Sequence, residues 1–252
     1  MPEFRSRKAL VNPELRRRGI YILPNLFTTA ALFAGFYAIV QAMTDRFEQA
    51  AVAIFIAMIL DGLDGRVARL TRTQSAFGAE YDSLSDMVSF GVAPALVMFE
   101  WAMKGMGKWG WIAAFIYCVG AALRLARFNT NIEVVDKRFF QGLPSPAAAA
   151  LIAGFVWVLM DLNYAGEEVR WYAWALTIFA GVTMVSNFRY YSGKDINLRR
   201  SVPFIAVLAI VLFFVLVSSY PPGILFALFL CYAFSGYVMA VLDWVRRRKT
   251  PA

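Results

Sequence analysis

Apolar runs of roughly 18 residues or more recur along the whole chain, and few architectures can accommodate them. Inside a bilayer each segment must satisfy its own backbone polar groups, so the runs read as transmembrane helices. The spans are expected at approximately 23–43, 47–67, 83–103, 109–128, 145–163, 171–188, 202–219 and 223–243. Of 252 residues 60% are apolar, more than a soluble domain of this size carries, which points to an all-α, multi-pass membrane protein of about eight helices. No small-residue cleavage site follows the first run and the runs continue beyond it, which argues against a cleavable signal. Nor does any Ser/Gly-rich linker divide the chain. One domain over residues 1–252 is expected, with 1–22 as a cytoplasmic or interfacial lead-in.

A net charge of +8 invites a nucleic-acid reading, but the basic residues fall in short loops between the spans. Phospholipid headgroups and the positive-inside rule account for that distribution better. One set of loops and both ends carry Arg5, Arg7, Lys8, Arg16, Arg17, Arg18, Arg66, Arg69, Arg72, Arg124, Arg127, Lys137, Arg138, Arg189, Lys194, Arg199, Arg200 and the run at 246–249. The other set carries only Arg46, Lys104, Lys108 and Arg170. The asymmetry places both termini in the cytoplasm. Residues 13–21 read as a short interfacial helix or, equally, as a plain basic tail that fixes topology. Pro94, inside the third span, is expected to kink it, with neighbouring helices satisfying the carbonyl it frees. Cys118 and Cys231 both lie in apolar runs and suggest no disulfide framework.

Against this background, "DGLDGRVARLTRTQSAFGAEYDSLSD" stands out by placing Asp61, Asp64, Asp82 and Asp86 where two apolar runs meet. At 3.6 residues per turn, Asp61, Asp64, Gly65 and Ala68 share an arc of roughly 100°, and Gly78, Asp82 and Asp86 share another face. Two antiparallel helices joined around "TRTQSAF" bring those faces together at the cytoplasmic end. Carboxylates without His or thiolate neighbours suit hard cations, Mg²⁺ or Mn²⁺, and two such ions form a clamp for phosphoryl chemistry. Gly65, Ala68 and Gly78 leave bare backbone for a ligand to approach, and Arg69 offers a fixed charge to phosphate oxygens. As ordinary loop charges the acids would instead cap helices or pair with Arg66, Arg69 and Arg72. Four acids on two faces, interleaved with small residues, favour a site. The chain has no histidine, which excludes a His general base, a phosphohistidine intermediate and His-ligated zinc.

These 26 residues resemble, at all eight fixed positions, the signature of the CDP-alcohol phosphatidyltransferase family, D-x2-D-G-x2-A-R-x8-G-x3-D-x3-D. The resemblance implies a six-span shared core, a CDP-linked lipid donor, an alcohol acceptor, CMP as leaving group and a homodimer. It also implies that Asp61, Asp64, Asp82 and Asp86 ligate two divalent ions, with Asp86 doubling as general base. Gly65, Arg69 and Ser75 match positions that hold the CDP-lipid, and Asn25 and Thr28 match a weaker feature near the nucleotide. Those last two would serve equally as a helix cap.

"ALRLARFN" at 122–129 and "GLPSPAAA" at 142–149 resemble the pattern of the family's CDP-diacylglycerol-dependent serine transferases. The resemblance implies CDP-diacylglycerol and L-serine as substrates, and the Lys/Arg asymmetry puts the acid motif on the cytoplasmic side of what is expected to be the inner membrane. Glycerol 3-phosphate, inositol phosphate or choline would fit the same chemistry. Arg124 and Arg127 lie about 60° apart on one helix and can hold a carboxylate or a lipid phosphate, or act as positive-inside anchors. Arg127 beside Asn129 is the expected partner of the acceptor carboxylate, with Arg124 on lipid phosphate. Asn129 and Ser145 would add neutral hydrogen-bonding groups. A membrane transporter using the acids as its transport site is the contrasting reading; the acids lie at one membrane face and no convincing internal repeat appears.

Overall fold

The computed structural model describes residues 13–71, 73, 75–130, 139–192 and 204–249. Arg5, Arg7, Lys8, Arg72, Lys137, Arg138, Lys194, Arg199, Arg200 and the start of the seventh expected span lie outside the described residues. Helices dominate: α1 (Pro13–Ala42), α2 (Phe47–Thr71), α3 (Ala76–Met106), α4 (Lys108–Thr130), α5 (Ser145–Asp161), α6 (Arg170–Val185), α7 (Phe204–Ser219) and α8 (Pro221–Lys249). Among the described residues, α3, α4, the Pro24–Ala42 part of α1 and the Pro221–Val245 part of α8 are long and apolar enough to cross a membrane. Ser145–Asp161 and Val207–Ser219 are apolar but shorter. This is a helical, multi-pass membrane architecture.

Residues 13–21 are helical, as one reading of them expects, but they run without a break through Pro24 into the first span. Helix α2 continues to Thr71, so Asp61, Asp64, Gly65 and Ala68 all sit on one rigid element. The helices approach closely because their contact faces are small. Ala50, Ala53, Ala57, Ala93, Ala121 and Ala147–Ala150 are buried, and α1 packs along much of α2. Without water between helices, such small faces let backbones touch and dispersion hold them. At the α4–α6 crossing, a Cβ on Gly120 would run into the Gly181 carbonyl oxygen, so only glycine fits there. Helix α7 packs chiefly on α8 and exposes Val207, Leu212 and Phe214, an apolar surface suited to lipid.

Helix α3 is not uniform. It is α-helical over Ala76–Asp86 and Ala93–Met98, and opens into wider π turns over Met87–Val92 and Phe99–Met103. Pro94 follows the first π stretch. In a regular helix the Pro94 nitrogen would serve the Phe90 carbonyl, but it carries no hydrogen. Tyr117 of α4, fully buried, supplies the missing donor: its hydroxyl donates to Phe90 O at 3.0 Å. The neighbouring helix therefore satisfies the freed carbonyl.

Two short strands were not anticipated. β1 (Phe139–Gln141) and β2 (Arg189–Tyr191) pair antiparallel, with Phe140 opposite Tyr190. Tyr190 is buried and donates to Ala233 O at 2.8 Å, which fastens the pair to α8. Gly142 follows at φ +74, where its backbone lies against Met184 O, and Leu143 N donates to Thr183 O at 3.1 Å. Together these contacts fix where α5 begins, and so where Ser145 stands.

Removing the Tyr117 hydroxyl leaves a buried carbonyl without its donor. Tyr117→Phe is therefore expected to destabilise the protein by about 1–3 kcal/mol, read as a lower unfolding temperature in detergent or a lower denaturant midpoint. An unchanged midpoint would show that the Phe90 carbonyl finds another partner.

Candidate active site

The site grows from the α2–α3 turn. Ser75 caps α3, its hydroxyl accepting from Gly78 N at 3.0 Å, and this starts the helix nearly two turns before Asp82. Helix α1 is stitched to both acid-bearing helices. Thr28 donates to Asp64 Oδ2 at 2.7 Å. Ser85 and Ser89 of α3 donate to Thr28 O and Ala31 O at 3.2 and 3.1 Å. Thr28, Ala31, Asp64, Ser85 and Ser89 are all buried.

Asp61, Asp64 and Asp82 each place one carboxylate oxygen within 4.8 Å of the other two. Asp86 lies beside this group, its carboxylate facing Asp61, while Asp82 faces Asp64. Among the described residues the sole ion pair is Lys104–Glu100 at the opposite end of α3, so neither Arg66 nor Arg69 neutralises the acids. Asp82 Oδ1 is buried and takes no hydrogen bond. An all-oxygen donor set, crowded, without counter-ion and with one orphaned acceptor, fits a hard divalent cation.

A cleft of about 240 Å³ opens beside the acids. It gathers Asn25, Thr28, Asp64, Gly65, Ala68, Ser75, Gly78 and Asp82, along with three residues that sequence reasoning missed: Pro24, Thr73 and Ala79. Neither Asp61 nor Asp86 lines it. Thr73 is buried, with its hydroxyl 2.7 Å from that of Thr71, and nothing in the local sequence distinguishes it from an ordinary turn residue. Gly78 faces Asn25 across the cleft, since a Cβ there would lie 3.5 Å from Asn25 Oδ1. Arg69 stays outside; it is exposed, and its Nε donates to Gly65 O at 2.8 Å.

The remaining candidates separate. Arg124 is buried and its Nη1 donates to Ser145 Oγ at 2.6 Å, with Asp86, Tyr117 and Tyr232 around it. Arg127 turns the other way and donates to Ser186 O at 3.3 Å and Asn187 Oδ1 at 3.4 Å. Asn129 reaches α3 and donates to Ser83 Oγ at 3.0 Å, a partner that the sequence did not suggest.

Comparison with known proteins bears on the same residues. Residues 21–185 match the family model for CDP-alcohol phosphatidyltransferase. A CDP-diacylglycerol–serine O-phosphatidyltransferase of Helicobacter pylori is 40% identical over 181 residues, covering 71% of this chain and 75% of that protein. A protein of the same name from Mycobacterium tuberculosis is 39% identical over 165 residues, covering 62% of this chain and 57% of that one. One from Methanocaldococcus jannaschii is 41% identical over 137 residues, covering 54% and 61%. The matched region contains α2, α3 and the whole acid cluster between them, and the chain belongs to the CDP-alcohol phosphatidyltransferase family.

Proposed function

We propose that the protein transfers the phosphatidyl group of CDP-diacylglycerol to L-serine, yielding phosphatidylserine and CMP. The observation that carries this is the clustering of Asp61, Asp64 and Asp82, with Asp86 alongside, at the edge of a cleft that Asp64 and Asp82 line and whose other walls are small or neutral. The names of the relatives support serine as the acceptor.

Asp61, Asp64 and Asp82 would hold Mg²⁺ or Mn²⁺, with Asp86 completing a set for two ions. When bound, these cations neutralise the donor's pyrophosphate and the charge that develops on CMP. The cleft backbone at Gly65, Ala68 and Gly78 admits the phosphates closely, and Asn25 and Ser75 offer neutral hydrogen-bonding groups to the nucleotide end. Serine's hydroxyl oxygen forms the new bond to the lipid-side phosphorus. The bond from that phosphorus to the bridging oxygen breaks, and its electron pair leaves with CMP. The hydroxyl proton passes to Asp86, which lies outside the donor cleft and so can face the acceptor. The transfer is direct, in a ternary complex, because Asp86 acts as base and no credible covalent nucleophile stands beside it among the described residues.

The basic loops support a site on the cytoplasmic side of the inner membrane. Cysteine labelling should place positions near 6, 73, 137, 195 and 249 inside and positions near 106 and 166 outside. An external position 73 would separate the acids from the cytoplasm and remove this orientation.

Purified protein with CDP-diacylglycerol and serine should release CMP only with Mg²⁺ or Mn²⁺ present. Asp61→Asn or Asp82→Asn should cost at least the roughly 10–100-fold in metal affinity that outer-shell partners cost elsewhere, and turnover with it. Full activity in excess chelator would rule out the cation role. Asp86→Asn should lower kcat by about 10²–10⁴-fold and change donor binding much less, as removal of a general base does. Wild-type turnover in that variant would take Asp86 out of the proton transfer.

A further inference from the structure

Three buried side-chain atoms have no hydrogen-bond partner among the described residues: Gln41 Oε1, Asp82 Oδ1 and Arg124 Nε. Two of the three border the acid cluster. The Asp82 oxygen is answered by the cation that the cluster fits. Arg124 Nε poses the opposite problem, a cationic donor held away from water with nothing to donate to. Such a group costs stability unless a ligand completes it.

What surrounds it narrows the ligand. Nη1 is engaged by Ser145 at 2.6 Å, which leaves the edge carrying Nε and Nη2. That edge presents two parallel N–H bonds, the geometry that a carboxylate accepts. Asp86 feels the charge of Arg124, yet no ion pair joins them. A gap therefore separates the guanidinium from the carboxylate that would take the acceptor's proton. The donor's phosphates belong to the other side, since the cleft of Asn25, Gly65, Ser75 and Gly78 does not include Arg124. In serine the carboxylate and the hydroxyl sit on adjacent carbons. A serine whose hydroxyl faces Asp86 thus carries its carboxylate towards Arg124.

We propose that Arg124 recognises the acceptor's carboxylate through its Nε edge, with Ser145 steadying the other edge, and so selects serine over an amino alcohol that lacks a carboxylate. This rests on the serine reading above. Arg127 does not share the role, because it is spent on Ser186 and Asn187 at the end of α6.

The test compares serine with ethanolamine, which keeps the hydroxyl and the amine. Wild-type protein should prefer serine, and Arg124→Gln should reduce that preference in kcat/KM by about 30-fold or more, as loss of one partner of a buried charged pair does. Arg124→Lys should fall in between, because an ammonium cannot reproduce two parallel hydrogen bonds. Ser145→Ala, which keeps the guanidinium, should raise the serine KM by about tenfold. It carries the test if the arginine variants fail to fold. A second readout is binding: with CDP-diacylglycerol present, serine should raise the unfolding temperature of the wild type but not of Arg124→Gln. If serine and ethanolamine turnover fall together and the preference survives, Arg124 is structural and the proposal is overturned. If Arg124→Gln loses stabilisation by CDP-diacylglycerol while keeping that by serine, the arginine belongs to the donor. Wild-type protein that releases CMP with another alcohol but not with serine would instead overturn the serine reading itself.

Discussion

Mutual repulsion among carboxylates governs this end of the bundle. Were Asp61, Asp64 and Asp82 all ionised, each pair within 4.8 Å would repel by at least about 3.5 kcal/mol at an effective dielectric near 20. The Thr28 hydrogen bond to Asp64 returns about 1.5–3 kcal/mol, the value of a bond to a charged group, and offsets at most one such pair. Helix packing must hold the acids together, and the proposed cation would make the arrangement favourable. The stitches from Ser85 and Ser89 to α1 backbone, and the buried alanines between α1 and α2, are the packing half of that balance.

The same constraint explains why α4 is tied to α3 so specifically. Tyr117 and Arg124 are seven residues apart, so they project from nearly the same face of α4. Tyr117 anchors that face to Phe90 O, at the turn that Pro94 leaves without a backbone donor. Running antiparallel, α4 then carries Arg124 towards Asp86, four residues earlier on α3. A proline that looks like a defect in the third span thus sets the register between the acid that would act as base and the arginine opposite it.

Much of this was legible in the sequence because it depends on spacing along single helices. Apolar runs located the helices, the Asp, Gly and Ala intervals placed Asp64, Gly65, Ala68, Gly78 and Asp82 around one cleft, and the family resemblance added Asn25, Thr28 and Ser75. What was not legible depends on contacts between distant segments. Strands of three residues, Phe139–Gln141 and Arg189–Tyr191, are too short to carry a period-two pattern, and aromatic loops disguise them. The π turns of α3 leave no mark beyond Pro94. Arg124 and Arg127 lie three residues apart on one helix, and the sequence favoured Arg127 for the acceptor, but a 60° rotation sends Arg124 into the bundle and Arg127 to the α6 terminus. Only the position of Ser145, set by Gly142 and Leu143 against α6, distinguishes them.

On the proposed reading, the charges at this end would let two anions meet. A pyrophosphate cannot approach bare carboxylates, and an amino acid's carboxylate cannot approach a pyrophosphate without a cation of its own. On the same reading, divalent ions at Asp61, Asp64 and Asp82 would answer the first difficulty, and Arg124 would answer the second from the far side of Asp86. Attack on phosphorus in line requires nucleophile and leaving group on opposite sides of it. Separate positive centres, one a cation held by acids and one a guanidinium held by Ser145, would give each anion its own side. A single shared cation would draw both substrates to one place and work against that geometry.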